Sequence, residues 1–418
     1  MPRSWAVFLL AAGYAWAQAD IAPEVLRLAR IKQHMREVLR RQPNYVCQET
    51  VERSERPVKN KRFRLIDSLH LEVAVVDGKE LFSWPGEREF KDRDVREIAP
   101  QGSFGTGGFA MHARAVFLSD APLFRYAGEE TLDGHKTARY DFSVSMLRSA
   151  FLLRVGDVQS VTAYEGSFWS EWETMDLLRL DIRAREIPPA LPLRSTSDTM
   201  RYERMPIGDS AFLLPKSSDM ELVQMSGHTN RNLTTFTGCR QYAGESKLSF
   251  ADPDETAAEA KAREPIALPR GLTVEVELQT RIRFPGSATG DVVTARVVRD
   301  VRRQGNVVIP KGAQLTGNIA YLQKRSAMNY SFHLLAVQWR EIAFDGKTGP
   351  FEGQLIDGGA IPMINVSRSL YLRPGNKERE TMPHRDVFYV RKETLDIPPG
   401  LRLAWQTTGT GILGAEKP

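Results

Sequence analysis

Short segments of alternating apolar and polar residues, separated by turn dipeptides, most constrain the fold of this 418-residue chain. Asp77-Gly78 and Asp133-Gly134 each lie between two segments rich in β-branched and aromatic residues, a pattern typical of β-hairpins. One amphipathic helix precedes them, with apolar residues at helical spacing from Val25 to Leu39. The pattern predicts a mainly β fold (α+β) that begins with a large antiparallel sheet over residues 22–250.

The N-terminus has the three parts of a secretory signal peptide. Arg3 precedes an apolar run, and Ala15-Trp16-Ala17 places small residues at the two positions that signal peptidase reads. We therefore expect a signal peptide over residues 1–17, cleavage near Ala17-Gln18, and a periplasmic or secreted protein. No later segment approaches the roughly 20 apolar residues that a membrane-spanning helix needs, so no transmembrane anchor is expected in the mature chain.

Cys47 and Cys239 are the two cysteines of the chain. An even number of cysteines in an exported protein predicts one disulfide, which would join the first and last strands of the first sheet. The alternative is a reactive thiol, but neither cysteine has a histidine or a basic cluster nearby in the sequence.

A second β-rich region follows the first. Residues 251–265 are acidic and rich in alanine, which predicts a linker, and residues 266–408 again show strand patterns. Gly290–Val297 and Val308–Gly317 are strand-like segments separated by the polar turn 303–306. We expect a smaller β-barrel or sandwich here, followed by a flexible tail over residues 409–418.

The strand pair Gly290–Val297 and Val308–Gly317 resembles the C-terminal domain of the TrbI-like core proteins of type IV secretion systems. The resemblance covers about Leu268 to Asp357, and it implies a docking module within a cell-envelope assembly. The chain has no transmembrane segment before this region and no long paired-helix insertion, so the pore function of that family is not carried over.

Three segments of the first region, 166–172, 177–180 and 212–215, resemble the strand pattern of the lipoprotein-carrier (LolA/LolB-like) superfamily, which includes the periplasmic sensor RseB. The resemblance implies a half-open antiparallel β-barrel wrapped around helices, with a concave apolar face that receives acyl chains in several members. Phe168, Trp169 and Trp172 are then candidates for a ligand-facing apolar wall. Packing in the core is the alternative interpretation of these three side chains.

The basic residues of the chain are concentrated toward its C-terminus. From residue 265 onward there are 21 Lys and Arg against 14 Asp and Glu, so the net charge is 21 − 14 = +7, while the whole chain carries +5. Arg296, Arg302, Arg303 and Lys311 form a candidate basic surface for an envelope protein, a cell-wall polymer or a membrane. Because acids are interleaved, an ordinary solvated face is the alternative; no nucleic-acid partner is expected.

No catalytic motif is visible. The chain lacks Gly-x-Ser-x-Gly and Ser-x-x-Lys, and its seven histidines are scattered without metal-ligand spacing, so we expect no catalytic residue, metal or cofactor. The glycine-rich segment 102–109 lacks the Lys-Ser/Thr of a phosphate loop, and Phe104 and Phe109 suggest a loop held in the core.

Three functional hypotheses follow from these observations. The first is an exported, non-enzymatic envelope protein that binds a hydrophobic ligand, such as a lipid or acyl chain, or a protein partner. The second is a scaffold or accessory of an envelope or secretion assembly. The third is a hydrolase with an unrecognised carboxylate site, for which Glu171, Glu173 and Asp176 are the candidates.

Overall fold

The computed structural model describes residues 21–87, 90, 109–155, 158–242, 264–265, 267–327, 330–359, 361, 363–365 and 386–408. The predicted signal peptide, its cleavage site, the C-terminal tail and nearly all of the predicted linker lie outside these residues. No helix within the described ranges is long and apolar enough to cross a membrane.

The described part of the first region contains twelve strands and two helices. The helices are α1 (Pro23–Arg41) and α2 (Met111–Phe117), with a 3-10 turn at Met146–Arg148. The strands are β1 (Tyr45–Arg56), β2 (Arg64–Val76), β3 (Lys79–Ser83), β4 (Leu123–Leu132), β5 (His135–Val144), β6 (Leu152–Val155), β7 (Val158–Val161), β8 (Ala163–Glu171), β9 (Leu177–Arg185), β10 (Leu193–Ile207), β11 (Ser210–Gln224) and β12 (Thr229–Gln241).

Ten of these strands form one antiparallel sheet in the order β3-β2-β1-β12-β11-β10-β9-β8-β5-β4, while β6 and β7 form a separate hairpin. The sheet is curled, and its end strands β3 and β4 are not paired with each other. The predicted half-open barrel is therefore confirmed, because long strands joined by tight turns twist into a curved surface without closing it.

Both helices pack on the concave face of this first sheet. Ile31 and Met35 of α1 and Phe117 of α2 are buried in one apolar cluster with Tyr140 and Phe168 of the sheet. The rings of Phe168 and Tyr140 are stacked at 5.3 Å, and the ring of Phe117 lies 5.1 Å from that of Phe168. The apolar stripe of α1 is thus explained, since it faces the sheet.

A disulfide joins Cys47 of β1 to Cys239 of β12 across 192 residues of sequence. The two strands are neighbours in the sheet, and a register shift in β1 lies between Val46 and Gln48, on either side of Cys47. The predicted bridge between the first and last strands is confirmed.

Fourteen further strands follow among the residues that the structure describes. They are β13 (Glu264–Pro265), β14 (Thr273–Leu278), β15 (Ile282–Phe284), β16 (Val292–Val297), β17 (Val301–Arg303), β18 (Asn306–Ile309), β19 (Gln314–Ala327), β20 (Tyr330–Phe344), β21 (Lys347–Pro350), β22 (Gly353–Asp357), β23 (Met363–Asn365), β24 (Asp386–Val390), β25 (Leu395–Ile397) and β26 (Arg402–Thr407).

The second sheet has the order β13-β21-β20-β19-β16-β14-β26-β22. In addition, β24 pairs with β20, and β23 pairs with β24. Its apolar core contains Trp339 and Trp405, whose rings meet edge-on at 6.1 Å, as expected for inward-facing strand residues. Glu264 and Pro265, the last residues of the predicted linker, pair in parallel with β21.

The two sheets meet where β2 passes the loop before β16. Leu69 forms a parallel bridge with Thr289, whose backbone accepts a hydrogen bond from His70 N–H (2.8 Å) and donates one to Ser68 (2.9 Å). Gly290 has φ +101°, and a Cβ there would overlap the His70 carbonyl oxygen. We call this contact the joint.

A buried ion pair completes the joint. Arg53 of β1 donates two hydrogen bonds to Asp67 of β2, at 2.6 and 2.5 Å, and the two side chains are 3% and 2% exposed. Gln323 of β19 donates to the same carboxylate at 2.9 Å and accepts from the Tyr321 hydroxyl at 2.7 Å. Side chains of both sheets therefore satisfy one buried charge pair.

Candidate functional site

Buried and half-buried polar side chains lie on the inner face of the first sheet, beside two apolar clusters. One cluster is packed under α1, and the other surrounds Cys47 and Phe109. We define the interior polar band as the following six residues: Tyr45, Glu49, Glu80, His112, Asp198 and Tyr202. They come from β1, β3, α2 and β10, and their charges influence one another.

Tyr45 and Glu49 are four residues apart on β1, so both side chains point to the same face. Tyr45 is 0% and Glu49 5% exposed. Neither the Tyr45 hydroxyl nor Glu49 Oε2 has a hydrogen-bond partner among the described residues. Burial, with a smaller contribution from the charge of Glu80, raises the pKa of the Glu49 carboxyl to about 8. That carboxyl is therefore mostly neutral at pH 7.

Aromatic rings surround these two side chains. The Phe109 ring lies 5.2 Å from that of Tyr45 and 4.8 Å from that of Phe236. Phe236 of β12 is the cross-strand neighbour of Glu49. Phe109 is thus held in the core as the sequence predicted, while the rest of segment 102–109 lies outside the described residues.

The start of α2 supplies the middle of the band. Glu80 Oε1 accepts hydrogen bonds from the backbone N–H groups of Ala110 (2.8 Å) and Met111 (3.3 Å). Burial lowers the pKa of His112 to about 4, so its ring is neutral at pH 7. His112 Nε2 lies 3.9 Å from an Asp198 carboxylate oxygen.

Asp198 lies at the other end of the band. The Ser218 hydroxyl donates to its carboxylate at 2.5 Å. Burial is the largest effect on Asp198 and raises its pKa to about 6. The band therefore places the neutral side chains of Glu49 and His112 near the carboxylates of Glu80 and Asp198, inside an apolar shell. No group of three His, Cys, Asp or Glu within the described ranges could hold a metal ion.

The three aromatic residues predicted as a ligand wall lie in three different environments. Phe168 faces the helices and is buried in the core under α1. Trp169 lies on the outer face of the sheet, 5.1 Å from the Arg139 guanidinium and 4.7 Å from that of Arg179. Adjacent residues of a strand point to opposite faces, which separates these two.

Trp172 lies in the turn after β8. The Arg27 guanidinium of α1 lies 3.4 Å from its ring centroid, and the Lys136 ammonium lies 3.9 Å away. Trp172 therefore anchors α1 to the end of the sheet. Phe168, Trp169 and Trp172 do not form one wall, and a part for any of them in ligand binding stays a prediction.

The predicted basic residues are interleaved with acids in the structure. Arg296 pairs with Glu277 at 3.4 Å, and Arg302 pairs with Asp300 at 3.2 Å. The backbone N–H of Lys311 donates to Asp300 at 2.9 Å, and the nearby Arg303 of β17 is exposed. Arg302, Arg303 and Lys311 lie on or beside the β17–β18 hairpin, whereas Arg296 lies on β16.

The acidic candidates for hydrolysis are held in structural contacts. Asp176 accepts two hydrogen bonds from Arg204, at 2.6 and 2.9 Å, and contacts His34 of α1 at 2.7 Å. Glu171 accepts from Thr174 and contacts His135 Nδ1 at 2.7 Å. These acids connect the turn after β8 to its neighbours, and Glu173 is exposed beside them.

The interior polar band was not predicted from the sequence. One local signal was present: Tyr45, Cys47, Glu49 and Val51 alternate along β1, so a carboxyl lies on an otherwise apolar face. The convergence of β1, β3, α2 and β10 had no such signal, because these elements are far apart in the chain.

Neither a protein-family model nor a curated protein sequence matches the chain. Among solved structures, a DUF1329 family protein from Desulfovibrio piger is similar at 14% identity and a TM-score of 0.32, covering 53% of this chain and 95% of its own. A LolA superfamily protein from Nitrosomonas europaea is 11% identical, with a TM-score of 0.26. The match covers 51% of this chain and 93% of that protein.

ComB10 of the Com type IV secretion system of Helicobacter pylori is 13% identical, with a TM-score of 0.20, covering 34% of this chain and 86% of its own. The LolA superfamily and the type IV secretion proteins, the two groups that the sequence resembles, are thus both represented among the solved structures similar to this chain.

Proposed function

We propose that the chain is an exported, non-enzymatic envelope protein that binds a hydrophobic ligand on the concave face of its first sheet. The observation that supports this proposal is that the buried Tyr45 hydroxyl and Glu49 Oε2, set near aromatic rings, have no hydrogen-bond partner among the described residues. Buried polar groups in native proteins nearly always have partners, and a ligand would supply one here. The paired acids Glu171 and Asp176 support a non-enzymatic role.

Native mass spectrometry of the mature protein, purified without delipidation, tests the proposal. We expect a bound mass that organic extraction removes and that chromatography identifies as an acyl-containing amphiphile. A single unliganded mass, together with no binding of added lipid in solution, would exclude a hydrophobic-ligand carrier.

The scaffold hypothesis is a second candidate, favoured by the joint. Because side chains of both sheets satisfy the Arg53–Asp67 pair, the second sheet is held at a fixed position on the first, as a docking module needs. The test uses the full-length chain with Arg296, Arg302, Arg303 and Lys311 all changed to glutamate. Loss of binding to envelope proteins or cell wall supports docking through this surface, and unchanged binding counts against it.

The predicted localisation and domain boundaries are part of the same proposal. Export with cleavage after Ala17 predicts a mature protein that begins at Gln18, which N-terminal sequencing of the periplasmic or secreted form would show. Limited proteolysis should cut first within residues 251–263. A mature chain that begins at Met1 would contradict the signal peptide.

A further inference from the structure

We propose that two loops at one end of the first sheet form a docking surface for an anionic membrane. We call this surface the basic tip and define it by five residues: Val58, Lys59, Lys61, Arg62 and Met225. It is separate from the interior polar band and from the basic residues of the second sheet. The inference goes beyond the proposed function, because it does not depend on a ligand bound inside the first sheet.

The basic tip lies where strand pairing brings two loops together. Arg56, the last residue of β1, pairs with Thr229, the first residue of β12, so the loop after β1 and the loop before β12 leave the sheet side by side. A Cβ on Gly227 of the second loop would lie 3.5 Å from Val58 Cγ2 of the first. The loop that carries Val58 therefore contacts the loop that carries Met225.

The charge of the first loop has one sign. Residues 56–64 contain five Lys and Arg and no Asp or Glu. The three basic residues of the tip are exposed, and none of them forms an ion pair with another described residue. The nearby acid Glu55 contacts Arg64 at 2.5 Å and His228 at 3.3 Å, so its charge is already compensated. Three cationic side chains are therefore available to an anionic partner.

Two exposed apolar side chains decide which anionic partner fits. Val58 is 65% and Met225 66% exposed, on loops that touch. One exposed apolar residue is ordinary, but apolar side chains among cations are typical of a site that enters the membrane interface. The apolar groups reach the acyl boundary while the cations contact anionic headgroups. A soluble polyanion would use the cations alone and would leave both apolar side chains in water.

The base of the tip is fixed independently of the five residues that define it. The Phe63 ring lies 4.7 Å from the Arg56 guanidinium and 5.5 Å from that of Arg231. The backbone N–H of Asn60 donates to the Pro57 carbonyl at 2.8 Å, which closes a turn within the loop. Because the five tip residues are exposed, changing them leaves these contacts in place.

Two variants separate the contributions of charge and of apolar contact. The charge variant carries Lys59→Gln, Lys61→Gln and Arg62→Gln. The apolar variant carries Val58→Ser and Met225→Ser. Each full-length protein is tested by co-sedimentation with vesicles of phosphatidylcholine alone and with vesicles that also contain about 30% phosphatidylglycerol. Melting temperatures that match the wild type show that the fold is intact.

A control variant removes the same number of charges elsewhere. It carries Arg40→Gln, Lys216→Gln and Lys392→Gln, all at exposed positions outside the two loops. Its binding to both kinds of vesicle should stay within about threefold of wild type, because salt screens charges that are distant from the membrane contact.

The wild type should bind the anionic vesicles about a hundredfold more tightly than the neutral ones, since each basic residue near an anionic surface strengthens binding about fivefold. The charge variant should lose this preference. The apolar variant should bind both kinds of vesicle about tenfold more weakly than wild type.

Three results would overturn the inference. The first is a wild type that binds neither kind of vesicle. The second is vesicle binding that the charge variant and the apolar variant both retain, which would come from lipid uptake by the first sheet and would leave the proposed function standing. The third is equal binding of soluble polyphosphate by the wild type and the apolar variant without vesicle binding, which would show a site for an anionic polymer.

Discussion

The Arg53–Asp67 pair is the most deeply buried charge pair described in the structure, and its two residues depend on each other. Removing one partner leaves an uncompensated charge in the core. We predict that Asp67→Asn lowers the free energy of unfolding by about 3 kcal/mol, measured by urea denaturation. Asp181→Asn is the control, since it removes the same two-point contact with Arg179 where both side chains are more exposed, and should cost about 0.5 kcal/mol.

Equal losses for the two variants would mean that burial of the Arg53–Asp67 pair has no energetic effect.

For the single residue Glu49, the sequence identified only that it is part of a strand. Its alternation with Cys47 and Val51 places it on the inward face, but the absence of a partner depends on neighbours from other strands.

Gly290 determines how closely the two sheets approach at the joint. Gly290→Ala would place a Cβ against the His70 carbonyl oxygen at a positive φ, so the joint would have to open. We predict a loss of about 3 kcal/mol and faster amide exchange at His70 and Thr289. Gly305→Ala is the control: φ is +85° but its Cβ would meet nothing within 4 Å, so only the backbone strain of about 1 kcal/mol remains. Identical exchange in both variants would contradict the role of Gly290.

The joint also contains a titratable contact, between His70 and Asp291 at 2.5 Å. The hydrogen bond that the His70 ring donates to the Asp291 carboxylate is the largest effect on His70 and raises its pKa above the ordinary 6.5. The stabilisation is therefore fully present below pH 6.5 and is lost as pH rises through the raised pKa. We predict that the stability difference between wild type and His70→Gln shrinks from pH 6 to pH 9. A difference that is constant with pH would contradict this.

The disulfide acts on the whole molecule, because it closes 192 residues of chain between β1 and β12. Changing Cys47 and Cys239 together to serine should lower the free energy of unfolding by about 2–5 kcal/mol, since the unfolded chain gains freedom. Denaturation of the wild type in reducing agent provides the matched comparison and should show the same loss. No effect in either experiment would mean that strand pairing alone holds β1 beside β12.

Features that depend on neighbours along the chain could be predicted from the residues alone. Alternation predicted strands and their inward residues, helical spacing predicted α1, and the two cysteines predicted the bridge between β1 and β12. The two family resemblances and the mainly β architecture were visible for the same reason.

The faces that meet are set by long-range packing. Strand order brings Tyr45 of β1, Glu80 of β3 and Asp198 of β10 to one band, and no pattern within a segment encodes such a distant meeting. The same holds for the joint, where Asp67 meets Gln323 across 256 residues. Trp169 is a different case. Strand alternation predicts that its side chain points away from Phe168, but only the packing shows that Arg139 and Arg179 cover it. Local periodicity sets the direction of a side chain, and long-range pairing sets what that side chain meets.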